Sequence, residues 1–189
     1  LGNHFRVTLS ADGQTAFAAA NNFGLHIIDV SDLANPTLIG NFNTSEVAFD
    51  LTLSADGKTV FVADGDHGLD IIDVSNPASP SLTGNYDTPG KALGVILSAD
   101  GKTAFVADGG SGLQIIDVSV LANPTLTGNY DTSGNNAYGL TLSADGKTAF
   151  VADGNDGLDI IDVSDLANPT LTGNYDTSAV ALDVTLSAD

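Results

Sequence analysis

Apolar residues in this chain come in runs of only 4 to 6, rich in Val, Ile, Phe and Thr, and Gly, Pro, Asn or Asp interrupts them every 8 to 12 residues. Runs that short are strand-sized, and β-branched and aromatic side chains suit a pleated sheet, so the pattern predicts an all-β chain without helices. Segments such as Leu113-Gln-Ile-Ile-Asp-Val118 put apolar groups on both faces of one strand, which predicts sheets covered on both sides. Two kinds of turn separate the runs. One is Ser143-Ala-Asp-Gly-Lys147, in which Asp-Gly tolerates the left-handed backbone of a tight hairpin; the other is Asp153-Gly-Asn-Asp-Gly157.

The same pattern repeats. Leu-Ser-Ala-Asp occurs at Leu9, Leu53, Leu97, Leu142 and Leu186, at spacings of 44, 44, 45 and 44. Each unit reads as an inner segment (137–142), a hairpin, a second segment (148–152), another hairpin, a third segment (158–163), a loop, and an outer segment (170–175). Four strands in a period of this length describe a β-propeller blade. The predicted fold is a β-propeller of four-stranded antiparallel blades, about 44 residues each: repeats at 3–46, 47–90, 91–135 and 136–179, then the first strand of a fifth blade at 180–189. A parallel β-solenoid with two coils per repeat is the rival, but it has no use for two hairpin turns per unit.

Phe105-Val-Ala-Asp-Gly-Gly-Ser-Gly-Leu-Gln-Ile-Ile-Asp-Val-Ser119, followed by Ala122-Asn-Pro-Thr-Leu-Thr-Gly-Asn-Tyr130, closely resembles the LVIVD-repeat propellers, and Leu-Ser-Ala-Asp-Gly-Lys is similar to the related YVTN-type propellers. The resemblance covers all four periods. It implies a bacterial or archaeal protein that is secreted or held at the cell surface, in propellers that usually have more than four blades and mostly lack a defined biochemical activity. Five copies of the inner strand and a chain without methionine that starts at Leu1 predict an excerpt of a larger propeller or array, over a self-contained four-blade ring.

Composition narrows the function classes. Glu46 is the one glutamate among 24 acidic residues, so 23 are aspartates, against five Lys and Arg, and the formal charge is -19. Scattered cations (Arg6, Lys58, Lys91, Lys102, Lys147) make no basic patch, which excludes a nucleic-acid partner. No apolar run approaches the roughly 20 residues of a spanning helix, so membrane insertion is not expected. Cysteine is absent, which removes disulfides, thiolate metal sites and thiol nucleophiles.

Candidate chemistry lies in the repeated aspartates. Asp64, Asp108 and Asp153 open the second hairpin, and Asp87, Asp131 and Asp176 follow the outer strand; in a meander these turns and crossovers share one end of the blades. These six are the predicted metal ligands, for Ca2+, which takes about 6 to 8 oxygens from flexible loops. The opposing reading is that each bonds its own turn backbone. The first repeat has Ala20 and Asn43 at the two positions, as a shared ligand would require. Asp50 and Asp183 start inner strands near the axis, where other repeats have Arg6, Gly94 and Gly139. Asp29, Asp73, Asp117 and Asp162 are expected to accept bonds from the following Ser-containing turn. His4, His26 and His67 occupy unrelated repeat positions and read as surface or edge residues, the repeated serines read as turn formers, and Lys58, Lys102 and Lys147 as exposed edge charges.

No catalytic residue emerges, because the axial positions carry neither His nor Glu. The favoured function is a non-enzymatic extracellular module for binding or scaffolding, with a protein or glycan ligand on the loop face. Self-association into a surface layer or fibre is an alternative, and a propeller hydrolase or lyase a more distant one.

Overall fold

Each repeat folds as its own antiparallel meander in the computed structural model, which describes residues 6–132 and 136–187. Blade 1 holds β1 (Val7–Leu9), β2 (Thr15–Ala19), β3 (Leu25–Asp29) and β4 (Thr37–Phe42). Blade 2 holds β5 (Asp50–Leu53), β6 (Thr59–Ala63), β7 (Leu69–Asp73) and β8 (Ser81–Tyr86). Blade 3 holds β9 (Gly94–Leu97), β10 (Thr103–Ala107), β11 (Leu113–Asp117) and β12 (Thr125–Tyr130). Blade 4 holds β13 (Gly139–Leu142), β14 (Thr148–Ala152), β15 (Leu158–Asp162) and β16 (Thr170–Tyr175), and the described residues contain no helix. In every blade the third and outer strands slip register at the Ile-Ile pair, as between Ile71 and Ile72. One extra residue there bends and twists the outer edge.

The first hairpin forms for reasons visible in six consecutive residues, 54–59. Ser54 donates its hydroxyl to Asp56 at 2.6 Å, Asp56 accepts the Lys58 amide at 3.1 Å, and the Ser54 hydroxyl oxygen accepts the Thr59 amide at 3.0 Å. Gly57 closes the turn at φ +70°, where a side chain would be strained. The same set recurs around Asp12, Asp100 and Asp145, so the serines are turn formers as read from the sequence. At the other end of the third strand, Asp29, Asp73, Asp117 and Asp162 each accept the amide two residues on, at 2.8 or 2.9 Å. The hydroxyl and amide of that serine lower the pKa of each of these aspartates.

Blades pack face to face. Phe61, Ala63, Leu69 and Ile71 of blade 2 bury one face against Ala104, Val106, Ile116 and Val118 of blade 3, while Val60, Val62, Ile72 and Val74 bury the other against Phe17, Ala19, Leu25 and Ile27 of blade 1. The contact between blades 3 and 4 repeats the arrangement around Phe105 and Ile115. This is why the second and third strands are apolar on both sides. The end blades keep one face uncovered within the chain: Val7 and Leu9 are exposed on blade 1, and Phe150, Leu158 and Ile160 are only half-buried on blade 4.

Inner strands β1, β5, β9 and β13 lie in order along the axis. The fifth inner segment follows them without becoming a strand: Ala181 makes an isolated bridge to Gly154, and 182–187 are unpaired. In each complete blade the inner strand pairs with the second strand of its own blade, and among the described residues 182–187 make no such pairing.

Candidate functional site

Two places gather polar chemistry. The first is a recess of about 140 Å³ at the axis, lined by Arg6, Asp50, Tyr138, Gly139, Leu182 and Asp183 among others. Its geometry comes from glycine: a Cβ at Gly94 would lie 2.6 Å from the Tyr138 carbonyl oxygen, and one at Gly139 would lie 2.7 Å from Asp183 Oδ1. Asp50 joins three consecutive inner strands. Its Oδ1 accepts the Leu51 amide at 2.8 Å and lies 3.6 Å from Arg6 Nε, and its Oδ2 accepts the Val95 amide at 2.9 Å. Burial raises its pKa, against the Val95 amide and the Arg6 charge, with Asp183 adding to the rise. Asp183 Oδ1 accepts the Val184 amide at 2.9 Å.

The second place is the seam between each crossover and the next blade's second hairpin. Asp64, Asp108 and Asp153 are wholly buried there, while Asp87, Asp131 and Asp176 stand exposed beside them on the crossovers. Asp108 accepts the Thr88 hydroxyl at 2.6 Å on Oδ1 and the Gly90 amide at 2.8 Å on Oδ2, both from the preceding crossover. Asp153 accepts the Thr132 hydroxyl at 2.8 Å. Asp64 accepts the Glu46 amide at 3.0 Å on Oδ2. These carboxylates latch one blade to the next, a use across some 20 residues that neither the ligand reading nor the own-turn reading contained. An antiparallel bridge from the glycine after each latch carboxylate, such as Gly65 with Ala92, ties the same hairpin to the crossover that follows it. Burial raises the Asp108 pKa despite the Thr88 and Gly90 bonds, and nearby Asp87 adds to it.

Blade 2 differs from its neighbours. Thr44 donates to the Glu46 carbonyl at 3.0 Å rather than to the latch carboxylate, and Asp64 Oδ1 accepts no hydrogen bond. Burial raises the Asp64 pKa, against the Glu46 amide and the adjacent Thr44 hydroxyl. His67 Nδ1 stands 3.5 Å from Asp64 Oδ2 and 3.0 Å from Asp70 Oδ1, so three groups with metal-binding atoms fall within 4.8 Å of one another. His67 is therefore not the isolated surface residue its sequence position suggested. The same positions hold Ser111 and Gln114 beside Asp108, Asp156 and Asp159 beside Asp153, and Phe23 and His26 beside Ala20. Asking what stands three and six residues after each hairpin aspartate would have found the cluster; looking only for sets shared by all repeats discards it. His26 sits half-buried 6.3 Å from the Phe23 ring, and His4 lies outside the described residues.

A family model described as LVIVD repeat matches residues 8–44, 51–88, 89–132 and 140–177. Comparison with curated proteins gives no match. Among solved structures, a functionally unknown protein from Desulfotomaculum acetoxidans is 17% identical with a TM-score of 0.78, over 99% of this chain and 61% of its own. A Pseudomonas aeruginosa periplasmic gluconolactonase is 18% identical with a TM-score of 0.74, over 94% of this chain and 53% of its own. A Bacteroides fragilis protein described as a putative 6-phosphogluconolactonase is 17% identical with a TM-score of 0.74, over 95% and 55%. The chain thus spans between half and about three fifths of these structures, and the likeness is one of fold.

Proposed function

This chain belongs to the LVIVD-repeat family, and from that premise we propose that it is a non-enzymatic propeller module of a prokaryotic cell surface or secreted protein, holding a protein or glycan ligand on the face of hairpin turns and crossovers. The observation that supports this reading is the state of the axial recess. Both its carboxylates already accept backbone amides, Asp50 two and Asp183 one, and Asp50 is drawn to Arg6. Among the described residues no His, Ser or Glu lines it to serve as a base or nucleophile. The location follows from the family resemblance and fits a charge of -19, which keeps like faces apart unless salt or divalent ions screen it. Two structural neighbours carry gluconolactonase names, so gluconolactone hydrolysis is the activity to assay. The expected result is no turnover above the uncatalysed rate. Hydrolysis that disappears in Asp50→Asn would overturn the reading in favour of a propeller hydrolase.

The calcium proposal rests on the exposed crossover carboxylates Asp87, Asp131 and Asp176, set beside the latches Asp64, Asp108 and Asp153. Occupancy of both Asp108 oxygens leaves the exposed set as the principal donors. A second reading, self-assembly, is favoured by the uncovered apolar faces of blades 1 and 4, each equivalent to a face that packs inside the chain. Light scattering after size exclusion, in calcium and in chelator, separates these readings. A monomer that melts several degrees lower in chelator supports the calcium-stabilised module, and calcium-dependent growth in mass supports assembly.

A further inference from the structure

We infer that Asp64, His67 and Asp70 form a binding site for a divalent first-row transition ion, Zn2+ being the probe of choice, on the second hairpin of blade 2. The backbone sets the three groups on one side of the turn. The Asp64 amide donates to the Gly68 carbonyl at 2.8 Å and the His67 amide to the Asp64 carbonyl at 3.0 Å, while Asp70 pairs across the strands with Val62. A tetrahedral zinc ion with ligands at about 2.1 Å spaces its ligand atoms about 3.4 Å apart. The two measured edges of the cluster are 3.5 Å and 3.0 Å, and all three atoms lie within 4.8 Å, so small side-chain rotations complete the triangle.

Charge points the same way. Asp64 and Asp70 are 0% and 1% exposed, and among the described residues no lysine or arginine is paired with either. The carboxylate of Asp64, turned through Oδ2 toward the imidazole, keeps its other oxygen without a hydrogen bond. Two buried carboxylates beside one imidazole call for a cation. An imidazole nitrogen with two carboxylates suits Zn2+ or its neighbours, whereas Ca2+ takes oxygens alone. His67 is 34% exposed, which leaves the remaining coordination position open to water or ligand.

Asn85 supplies the outer support. Its amide nitrogen reaches the His67 carbonyl at 2.9 Å, Asp70 Oδ1 at 3.0 Å, and the Leu69 carbonyl and His67 Nδ1 each at 3.3 Å. With two hydrogens for four acceptors, the two short contacts take them, so Asn85 leaves Nδ1 to its 3.0 Å hydrogen bond with Asp70 Oδ1, whose proton a bound metal ion would displace. Blade 3 is the internal control. There Gln114 Nε2 donates to the Ser111 carbonyl at 2.8 Å and both Asp108 oxygens are occupied, so the equivalent place holds one carboxyl instead of two, fully satisfied, and no imidazole.

The test borrows that control. Titration of Zn2+ alone into the full chain, followed by calorimetry and by the imidazole resonances of His67, is compared with the double variant His67→Ser, Asp70→Gln, which copies blade 3. The expected result is one fewer zinc equivalent, or binding weaker by at least about tenfold at that step, with the His67 ring signals of the parent shifting on zinc addition. The converse variant Ser111→His, Gln114→Asp should gain one equivalent, and keeps the test decisive if the first variant folds poorly. Equal stoichiometry in parent and blade 3 copy, or His67 signals that zinc leaves unmoved, would overturn the site and leave a histidine side chain set between two aspartates.

Discussion

Gly84→Ala is expected to destabilise the chain by about 3 kcal/mol, while the same change at the equivalent Gly173 stays within about 0.5 kcal/mol of the parent. The glycine of the outer strand recurs as Gly40, Gly84, Gly128 and Gly173, in β4, β8, β12 and β16. None has a positive φ, so conformational freedom is not the reason for it. The reason is the next blade. A Cβ at Gly84 would lie 2.1 Å from the Leu121 carbonyl oxygen, one at Gly40 1.9 Å from that of Pro77, and one at Gly128 2.2 Å from that of Leu166. Those oxygens belong to backbone, which cannot swing aside as a side chain does, so blade and loop must separate or the strand must shift. At Gly173 nothing lies within 4 Å. Thermal denaturation of the two variants checks the pair: roughly 6 to 12 °C lost for Gly84→Ala in a chain of this size, and little change for Gly173→Ala. Equal losses would mean that the glycines serve the strand itself rather than the packing of blades.

The same residues show what the sequence makes legible. Strand positions are readable because the pattern is written four times, and the segments read at 148–152 and 170–175 coincide with β14 and β16. The roles of Asp29, Asp73, Asp117 and Asp162 were equally plain, since their bonds run to an amide two residues away. Functions that cross between blades were not. Asp108 opens a hairpin and reads as a turn residue or a ligand, yet its partners Thr88 and Gly90 lie 20 and 18 residues back. His67 reads as a surface or edge residue because it is not repeated, although Asp64 and Asp70, three residues either side, are brought to it by the reversal of the chain. Periodicity reveals what every blade needs; what one blade does alone appears only when its column is compared with the others and the turn is folded.

The latch has the second large expected effect. Asp108→Ala removes the acceptor of two groups at once, the Thr88 hydroxyl, itself 4% exposed, and the Gly90 amide. Leaving both unsatisfied should cost about 3 kcal/mol, since each buried orphan costs roughly 1 to 3. Asp108→Asn keeps the shape and can accept from one group while donating to the hydroxyl oxygen of the other, so its deficit should be about 1 kcal/mol. The pH dependence of that smaller deficit carries a definite sign. Burial raises the folded pKa of Asp108 above its unfolded value. A carboxyl shifted upward contributes stability that is fully present below the unfolded pKa, near 4, and is lost as pH rises through the folded value. Asparagine does not titrate, so the deficit of Asp108→Asn should be larger near pH 3 than near pH 7. Chemical denaturation of parent and variant at the two values measures it. The opposite order would show that the Thr88 and Gly90 bonds outweigh desolvation and hold the carboxylate ionised, making the latch a charged clasp between blades.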